Sequence, residues 1–211
     1  MKNIFKCEEI LKQELLTILD SHTGSKKSSS DFDIVLPLRI QKIGLKRAAI
    51  IVPITFEDKD PMVILTRRAK NLKEHPGQIA FPGGKVEEGD RSEMDTAIRE
   101  CFEEIYLKAE DINVLGKLPN HETVTGYLIS PFVAIIKNSQ QLRPELSEVS
   151  EIFMVPLKFL LNKENMLIQN RNFNGCEISY YTIPYGPFYI WGATARIIKT
   201  FADLMKKNEK V

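Results

Sequence analysis

The feature that most constrains this chain is a glycine turn, Pro82-Gly83-Gly84, followed closely by a helix with many carboxylates. Residues 91–107 have helical periodicity, and at about 100° per residue one side of the segment is apolar. The apolar side holds Met94, Ala97, Ile98, Cys101, Phe102 and Ile105, and the other side holds Glu93, Glu100, Glu103 and Glu104. Because glycine adopts backbone conformations that other residues avoid, the turn lets main chain approach a ligand or metal closely.

Three acids of this segment are spaced so that their side chains converge. Glu100 precedes Glu103 and Glu104 by three and four residues, which places them on one helix face. Clustered carboxylates are what a hard divalent cation such as Mg²⁺ needs. A solvated acidic surface explains the helix equally well, but it does not explain the glycine turn. The combination therefore favours a metal site.

The rest of the chain alternates between strand-like and helix-like segments. Apolar runs at 47–56 and 61–68, separated by a polar "EDKD", predict a strand pair. Further extended segments are predicted at 78–84, 112–119, 129–137, 150–156, 176–183 and 187–192, and further helices at 3–20, 157–165 and 193–207. The irregular alternation predicts an α/β fold, a compact α/β/α sandwich with a mixed β-sheet. Residues 1–30 are interpreted as an N-terminal helix and flexible linker, and 31–211 as one domain.

Composition excludes several classes of partner. The formal net charge of +1 gives no bulk attraction to nucleic acid or membranes. The three cysteines are widely spaced and form no CxxC pair, so neither a zinc site nor a disulfide framework is indicated. The charged N-terminus lacks an apolar signal core, and no run approaches the length of a membrane span. We therefore expect a cytoplasmic protein.

The glycine turn and the acidic helix together resemble the signature of the Nudix hydrolases. The matching positions are Gly84, Arg99, Glu100, Cys101, Glu103, Glu104 and Leu107. Asp90 stands where this signature usually has glutamate, one extra residue separates it from Arg99, and Tyr106 replaces a glycine. Because that glycine would cap the helix, we expect its loss to affect stability rather than chemistry.

Those first two departures are similar to the coenzyme A pyrophosphatase branch of the family. That branch carries a second motif upstream of the glycine turn, and "ILTRRAKNLKEHPGQIAFPGG" (64–84) resembles it. The matching positions are Leu65, Thr66, Arg68, Gly77, Phe81, Pro82, Gly83 and Gly84. Lys73 stands where the motif has arginine, which keeps the charge but loses the planar two-pronged donor. The resemblance extends over roughly residues 45–203.

The resemblance implies a Nudix-type α/β/α fold, Mg²⁺ or Mn²⁺, and hydrolysis of the pyrophosphate bond of coenzyme A and its derivatives. The implied metal ligands are Glu100, Glu103, Glu104 and the Gly84 carbonyl, and the implied catalytic residues are Glu103, Glu104, Arg99 and Glu148. Arg99 is expected to orient a glutamate. The general base stays open between a signature glutamate and one of the loop acids Glu145, Glu148 and Glu151, with Glu148 preferred. Substrate binding is assigned to Arg67, Arg68, Lys73, His75, Gln78 and Gly83.

Two rival functions remain open at this point. The same chemistry could act on NADH, ADP-ribose or another nucleoside diphosphate derivative. A non-catalytic binding module on the same fold is disfavoured, because all three signature glutamates are present. A homodimer is also left open. Among other polar and aromatic residues, His121 is interpreted as a polar loop residue and Trp191 as a core residue.

Overall fold

The computed structural model describes residues 7–22, 28–33, 44–173 and 176–208. The helices are α1 (Glu8–His22), α2 (Glu93–Ile105), α3 (Leu157–Leu161) and α4 (Gly192–Asn208). The strands are β1 (Ser29–Ser30), β2 (Lys46–Glu57), β3 (Asp60–Arg68), β4 (Ile79–Ala80), β5 (Gly83–Lys85), β6 (Ile112–Lys117), β7 (His121–Glu122), β8 (Tyr127–Ile136), β9 (Val149–Pro156), β10 (Leu167–Phe173), β11 (Cys176–Tyr185) and β12 (Phe188–Trp191). No helix among these described residues is long and apolar enough to cross a membrane.

A large mixed sheet dominates the described part of the chain. Its strand order is β1-β7-β8-β2-β3-β4, with β5 paired to β2, β6 to β8 and β9 to β3. The central pair β2–β8 is parallel, whereas β2–β3 is an antiparallel hairpin. Asp58 and Lys59 form its turn with φ of 48° and 73°, the conformation that a two-residue hairpin loop requires. A second, antiparallel sheet has the order β10-β11-β12.

Helices cover both faces of the large sheet. Alternate residues of β2 point to opposite faces, so Ala49 and Ile51 pack with Cys101 of α2 in one apolar cluster. Ile50 and Val52 belong to the other cluster, which also contains the buried side chains of α1, α3 and α4. This arrangement confirms the predicted α/β/α sandwich with a mixed sheet.

Most predicted elements are present, with two differences in the C-terminal third. The predicted helix over 157–165 is the five-residue α3 followed by a 3₁₀ turn at Lys163–Asn165. Strand β10 was not predicted, because its sequence "LIQNRNF" lacks a clear apolar alternation. It pairs along its full length with β11, so its strand conformation depends on a neighbouring strand.

The N-terminal segment packs onto the rest of the chain. Leu11, Leu15, Ile18 and Leu19 of α1 are buried in the same apolar cluster as α4. The prediction of a flexible linker over 21–30 is wrong at both ends, because Ser21 and His22 belong to α1 and Ser29 and Ser30 form a short parallel strand with β7. The rest of that linker at 23–27, and residues 3–6 of the predicted helix, lie outside the described residues. A domain boundary at residue 30 stays a prediction.

Candidate active site

Helix α2 carries the acids, and its ends are fixed by local sequence. Ser92 caps its N-terminus by accepting a hydrogen bond of 3.1 Å from the main-chain N–H of Asp95. Tyr106 ends the helix in the left-handed conformation at φ 55°, the position where the family resemblance expects glycine. The predicted helix over 91–107 is therefore confirmed, with slightly shorter bounds at Glu93–Ile105.

The buried face of α2 differs from the predicted one. Ala97, Cys101 and Ile105 are fully buried, as expected, but Phe102 is 50 % exposed. Glu104, predicted on the charged face, is only 3 % exposed. The helix is rotated so that the carboxylate of Glu104 enters the protein interior and Phe102 faces outward. The spacing of apolar residues along the helix does not predict this rotation.

The buried Glu104 meets the glycine turn. Its Oε2 accepts a hydrogen bond of 3.2 Å from the main-chain N–H of Gly83, and its Oε1 lies 3.6 Å from Nη1 of Arg68. Burial raises the pKa of Glu104 to about 8, although these two contacts oppose the rise. A carboxylate kept in such a place is a strong candidate for a functional group.

Glu100 lies directly against the second glycine of the turn. A Cβ on residue 84 would lie 2.3–2.4 Å from the carboxylate atoms of Glu100, so only glycine fits there. Burial also raises the pKa of Glu100, and the guanidinium of Arg99 opposes this rise. The turn and the helix are therefore fitted to each other at two carboxylates, Glu100 and Glu104.

Arg99 connects the acids of the helix with the loop before it. Its Nε and Nη2 donate to both oxygens of Asp90, and its Nη1 donates to Glu100 at 3.1 Å and Glu103 at 2.8 Å. Nη2 also donates to the main-chain oxygen of Lys85. The hydrogen bonds from Arg99 hold the pKa of Asp90 well below its usual range. One planar guanidinium thus fixes the carboxylates of both neighbouring elements, the geometry in which arginine differs from lysine.

The donor chemistry of this cluster fits a divalent cation. Glu100, Glu103 and Glu104 supply carboxylate oxygens, which Mg²⁺ and Mn²⁺ prefer, and the absence of a side chain at Gly84 lets the Glu100 carboxylate lie directly against the turn. In the part of the chain that the structure describes, no three His, Cys, Asp or Glu side chains are already arranged as a metal site. Glu103 points to Arg99 while Glu104 points to Gly83, so the three carboxylates would have to draw together around an ion.

Of the three loop acids, Glu148 is the one whose charge acts on the buried carboxylates Glu100 and Glu104. The negative charge of Glu148 contributes to the raised pKa values of Glu100 and Glu104. Glu145 instead accepts a hydrogen bond from the Tyr106 hydroxyl, and Glu151 lies 3.5 Å from Nε of Arg67. The structure thus brings Glu148 to the cluster and directs the other two elsewhere.

A cleft of about 360 Å³ extends from the glycine turn to the start of α4. Among the residues predicted to bind substrate, Arg68, His75, Gln78 and Gly83 line it, together with Gly84. Arg67 and Lys73 do not: Arg67 lies over the ring of Phe188, and Lys73 is exposed. The upstream motif is therefore divided between the cleft and the outer surface.

Several cleft residues were not predicted. Lys85, Tyr127 and Thr123–Thr125 line it from one side, and Trp191 and Thr194 from another. Trp191 was predicted to be a core residue, but it is only partly buried and lies in the cleft wall. These residues come from β5, the β7–β8 connection, β8 and the β12–α4 junction, so only the tertiary structure brings them together.

The interpretation of His121 is also wrong. It was interpreted as a polar loop residue, but its ring is fully buried in β7. Its Nδ1 lies 3.0 Å from the Ser29 hydroxyl and its Nε2 lies 3.0 Å from Oδ1 of Asp31. The imidazole thereby fastens the N-terminal segment to the edge of the sheet beside the cleft.

Comparison with known proteins identifies the family. A family model, the NUDIX domain, matches residues 44–174, a range that contains the glycine turn, α2 and the Glu148 loop. The chain belongs to the Nudix hydrolase family. This confirms the family that the sequence resembles, and with it a pyrophosphohydrolase.

Relatives of this Nudix hydrolase extend over most of its length. It is 36 % identical over 174 residues to an uncharacterized Nudix hydrolase NudL of Pectobacterium atrosepticum, covering 81 % of this chain and 89 % of that one. It is 36 % identical over 158 residues to a protein of the same name from Yersinia pestis, covering 75 % and 79 %. The crystal structure of a MutT/nudix family protein from Enterococcus faecalis matches 94 % of this chain and 74 % of that one, with a TM-score of 0.53 and 15 % identity. At that identity, the likeness shows the fold alone.

Proposed function

We propose that this Nudix hydrolase cleaves the pyrophosphate bond of coenzyme A and its derivatives. The products would be (acyl-)4′-phosphopantetheine and adenosine 3′,5′-bisphosphate. The observation that supports this proposal is where the upstream motif (64–84) lies in the structure. Arg68, His75, Gln78 and Gly83 line the cleft, and the motif ends at the turn that contacts Glu104. The segment that resembles the coenzyme A branch therefore forms a wall of the site that holds the acids.

The carboxylates of α2 are assigned to the metal. Glu100, Glu103, Glu104 and the Gly84 carbonyl would hold Mg²⁺ or Mn²⁺, whose chemistry there is to neutralise phosphate charge and acidify a coordinated water. Arg99 orients Glu100 and Glu103 through one guanidinium group instead of touching the metal itself. Its fixed position between Asp90 and the helix preserves their geometry through the reaction.

Glu148 is proposed as the general base. It approaches the acidic cluster from the loop before β9, and that loop is anchored by a hydrogen bond of 2.8 Å from the Ala69 N–H to the Glu148 main-chain oxygen. The side chain is partly exposed, so it can reach a water molecule at the cleft. Because this base lies on a different element from the metal ligands, it can accept a proton from the attacking water on the side that faces away from the metal.

The apolar part of the cleft suits the organic arms of a nucleotide substrate. Ile50, Phe81, Trp191 and Ile197 are among its lining residues. Its volume of about 360 Å³ lies in the usual range for pockets that bind small molecules. Apolar walls with few polar groups bind through burial of surface, while the anionic centre fixes orientation.

The direct test is product analysis with coenzyme A, NADH and ADP-ribose, each with Mg²⁺ or Mn²⁺ at neutral to alkaline pH. Release of adenosine 3′,5′-bisphosphate from coenzyme A, with the highest kcat/KM of the three substrates, is expected. A much higher kcat/KM for NADH or ADP-ribose would refute coenzyme A as the substrate. The pyrophosphohydrolase chemistry would be unaffected by that result.

A further inference from the structure

One wall of the cleft is formed by a face of three adjacent strands, β2, β5 and β8. In β2 the side chains of Ile50, Ala48 and Lys46 share one face, because successive residues of a strand point in opposite directions. Lys85 of β5 is in register with Ala48, and Tyr127 of β8 is in register with Lys46. Of this face, Ile50 and Ala48 line the cleft near the glycine turn, and Lys85 and Tyr127 line it at the outer end. Lys46 lies on the same face, next to Tyr127 and just beyond the lining residues.

Two lysines converge on one tyrosine at that outer end. Nζ of Lys85 lies 5.6 Å from the centre of the Tyr127 ring, and Nζ of Lys46 lies 6.0 Å from the same point. Both lysines are exposed, so their charges are available to a ligand. The two residues are 39 apart in sequence but are brought to one ring by the pairing of β2 with β5 and β8.

Lys85 is held by a carboxylate that can be displaced. Its Nζ lies 3.0 Å from Oε2 of Glu74, and the two side chains are 54 % and 57 % exposed. Ion pairs this exposed contribute little to stability and exchange readily with other ions. Arg68 is the other permanently charged cation among the described residues that line the cleft. Its guanidinium already pairs with the carboxylate of Glu104.

We infer that Lys85, Lys46 and Tyr127 form the subsite for a second phosphate group of the substrate, the ribose 3′-phosphate. This inference rests on the proposed function, since coenzyme A carries such a phosphate and NADH and ADP-ribose do not. Lys85 lies two residues beyond Gly83 along β5, about 6.6 Å at the usual rise of a strand. One ribose carrying two phosphates spans such a distance, from the pyrophosphate at the turn to the lysines. The Glu74 carboxylate forms an ion pair with the Lys85 ammonium group until the phosphate displaces it.

The test compares binding of adenosine 3′,5′-bisphosphate with that of adenosine 5′-phosphate by calorimetry at one fixed Mg²⁺ concentration. The wild-type protein should bind the bisphosphate at least about tenfold more tightly, the usual value of one charge-assisted phosphate contact. Lys85→Gln and Lys46→Gln should each reduce this ratio several-fold, and Lys85→Arg should retain most of it. Glu74→Gln should increase the ratio, because the competing carboxylate is removed.

Two control variants separate the effect of the subsite from the effect of changing the protein's net charge. Lys137→Gln removes an exposed lysine just beyond the opposite end of β8, and Glu110→Gln removes an exposed acid that pairs with Lys108 at 3.7 Å. Neither should change the ratio. A wild-type protein without preference for the bisphosphate, or lysine variants with an unchanged ratio, would overturn the subsite. Because the assay measures binding, it stands apart from coenzyme A hydrolysis: hydrolysis without the preference refutes only the subsite, and the preference without hydrolysis refutes only the proposed function.

Discussion

The main-chain N–H of Gly83 donates a hydrogen bond of 3.2 Å to Oε2 of Glu104, so the turn and the acidic helix are joined at a buried carboxylate. Glu104 is 3 % exposed and lies beside a cleft. A buried acid with one main-chain donor and a guanidinium at 3.6 Å is only partly compensated for its loss of water. Its protonation is therefore linked to folding.

The first prediction concerns the pH dependence of stability. The folded-state pKa of Glu104, about 8, is raised above its ordinary value of 4.5, so the native state holds a proton that the unfolded chain releases. The stability that this group contributes is complete below pH 4.5 and is lost as pH rises toward 8, at up to about 1.4 kcal/mol per pH unit. Above pH 8 the dependence ends.

Urea unfolding in the presence of a chelator, between pH 5 and 9, measures this effect. Glu104→Gln keeps the shape of the side chain but cannot titrate. The stability of the variant relative to wild type should therefore rise across this window, because all other groups cancel in the comparison. Parallel curves for the two proteins would show that Glu104 titrates normally.

The second prediction concerns Glu103, which is half-exposed and accepts a hydrogen bond from Arg99. Glu103→Gln removes one of the charges proposed to bind the metal, while the helix keeps its buried face. Turnover should fall by at least about 10³-fold, while the thermal midpoint changes little. The matched control is Glu110→Gln, whose side chain is 76 % exposed and should leave turnover intact. Full activity in Glu103→Gln would refute its assignment as a metal ligand.

The third prediction concerns the fit between Gly84 and Glu100. A Cβ at residue 84 would lie 2.3 Å from Oε1 of Glu100, so Gly84→Ala should push this carboxylate away from the turn. Metal affinity, measured by titration with Mn²⁺, should fall by about 10–100-fold. Gly89→Ala is the control, because a Cβ there meets nothing within 4 Å. Equal metal affinity in both variants would show that the position of Glu100 is irrelevant to the metal.

The fourth prediction concerns the buried His121. His121→Ala leaves the Ser29 hydroxyl and Asp31 without their partner and opens a cavity, so the free energy of unfolding should fall by about 2–3 kcal/mol. Lys137→Ala, at an exposed position without a left-handed backbone, should change it by less than about 0.5 kcal/mol. Urea unfolding of both variants provides the comparison. A small effect of His121→Ala would mean that the N-terminal segment is held without the imidazole.

Local sequence patterns predicted the elements well where a residue's role depends on its neighbours in the chain. The β2–β3 hairpin follows from two apolar runs and a short polar turn, and α2 from its 3.6-residue periodicity. Strand β10 was missed because it is stabilised by pairing with β11. Its own residues are too polar to indicate a strand.

The acids were found from sequence, but their individual environments were not. The i+3 and i+4 spacing identifies Glu100, Glu103 and Glu104 as neighbours, whereas their burial depends on how α2 is rotated against β5. His121 had no local signal, because its partners Ser29 and Asp31 lie about ninety residues away in the chain. The same limit applies to Trp191, which was predicted to be in the core and lies in the cleft wall.

By itself, the sequence determined the family, the sandwich fold and the set of carboxylates, because these depend on periodicity and on spacing within short segments. Tertiary structure alone decided that Glu104 is buried against Gly83, that Arg68 faces it while Lys73 lies outside the cleft, and that Lys46 and Lys85 meet at Tyr127. Strand register and helix rotation set these contacts. Both result from packing the whole core, in which each residue's surroundings come from distant parts of the chain.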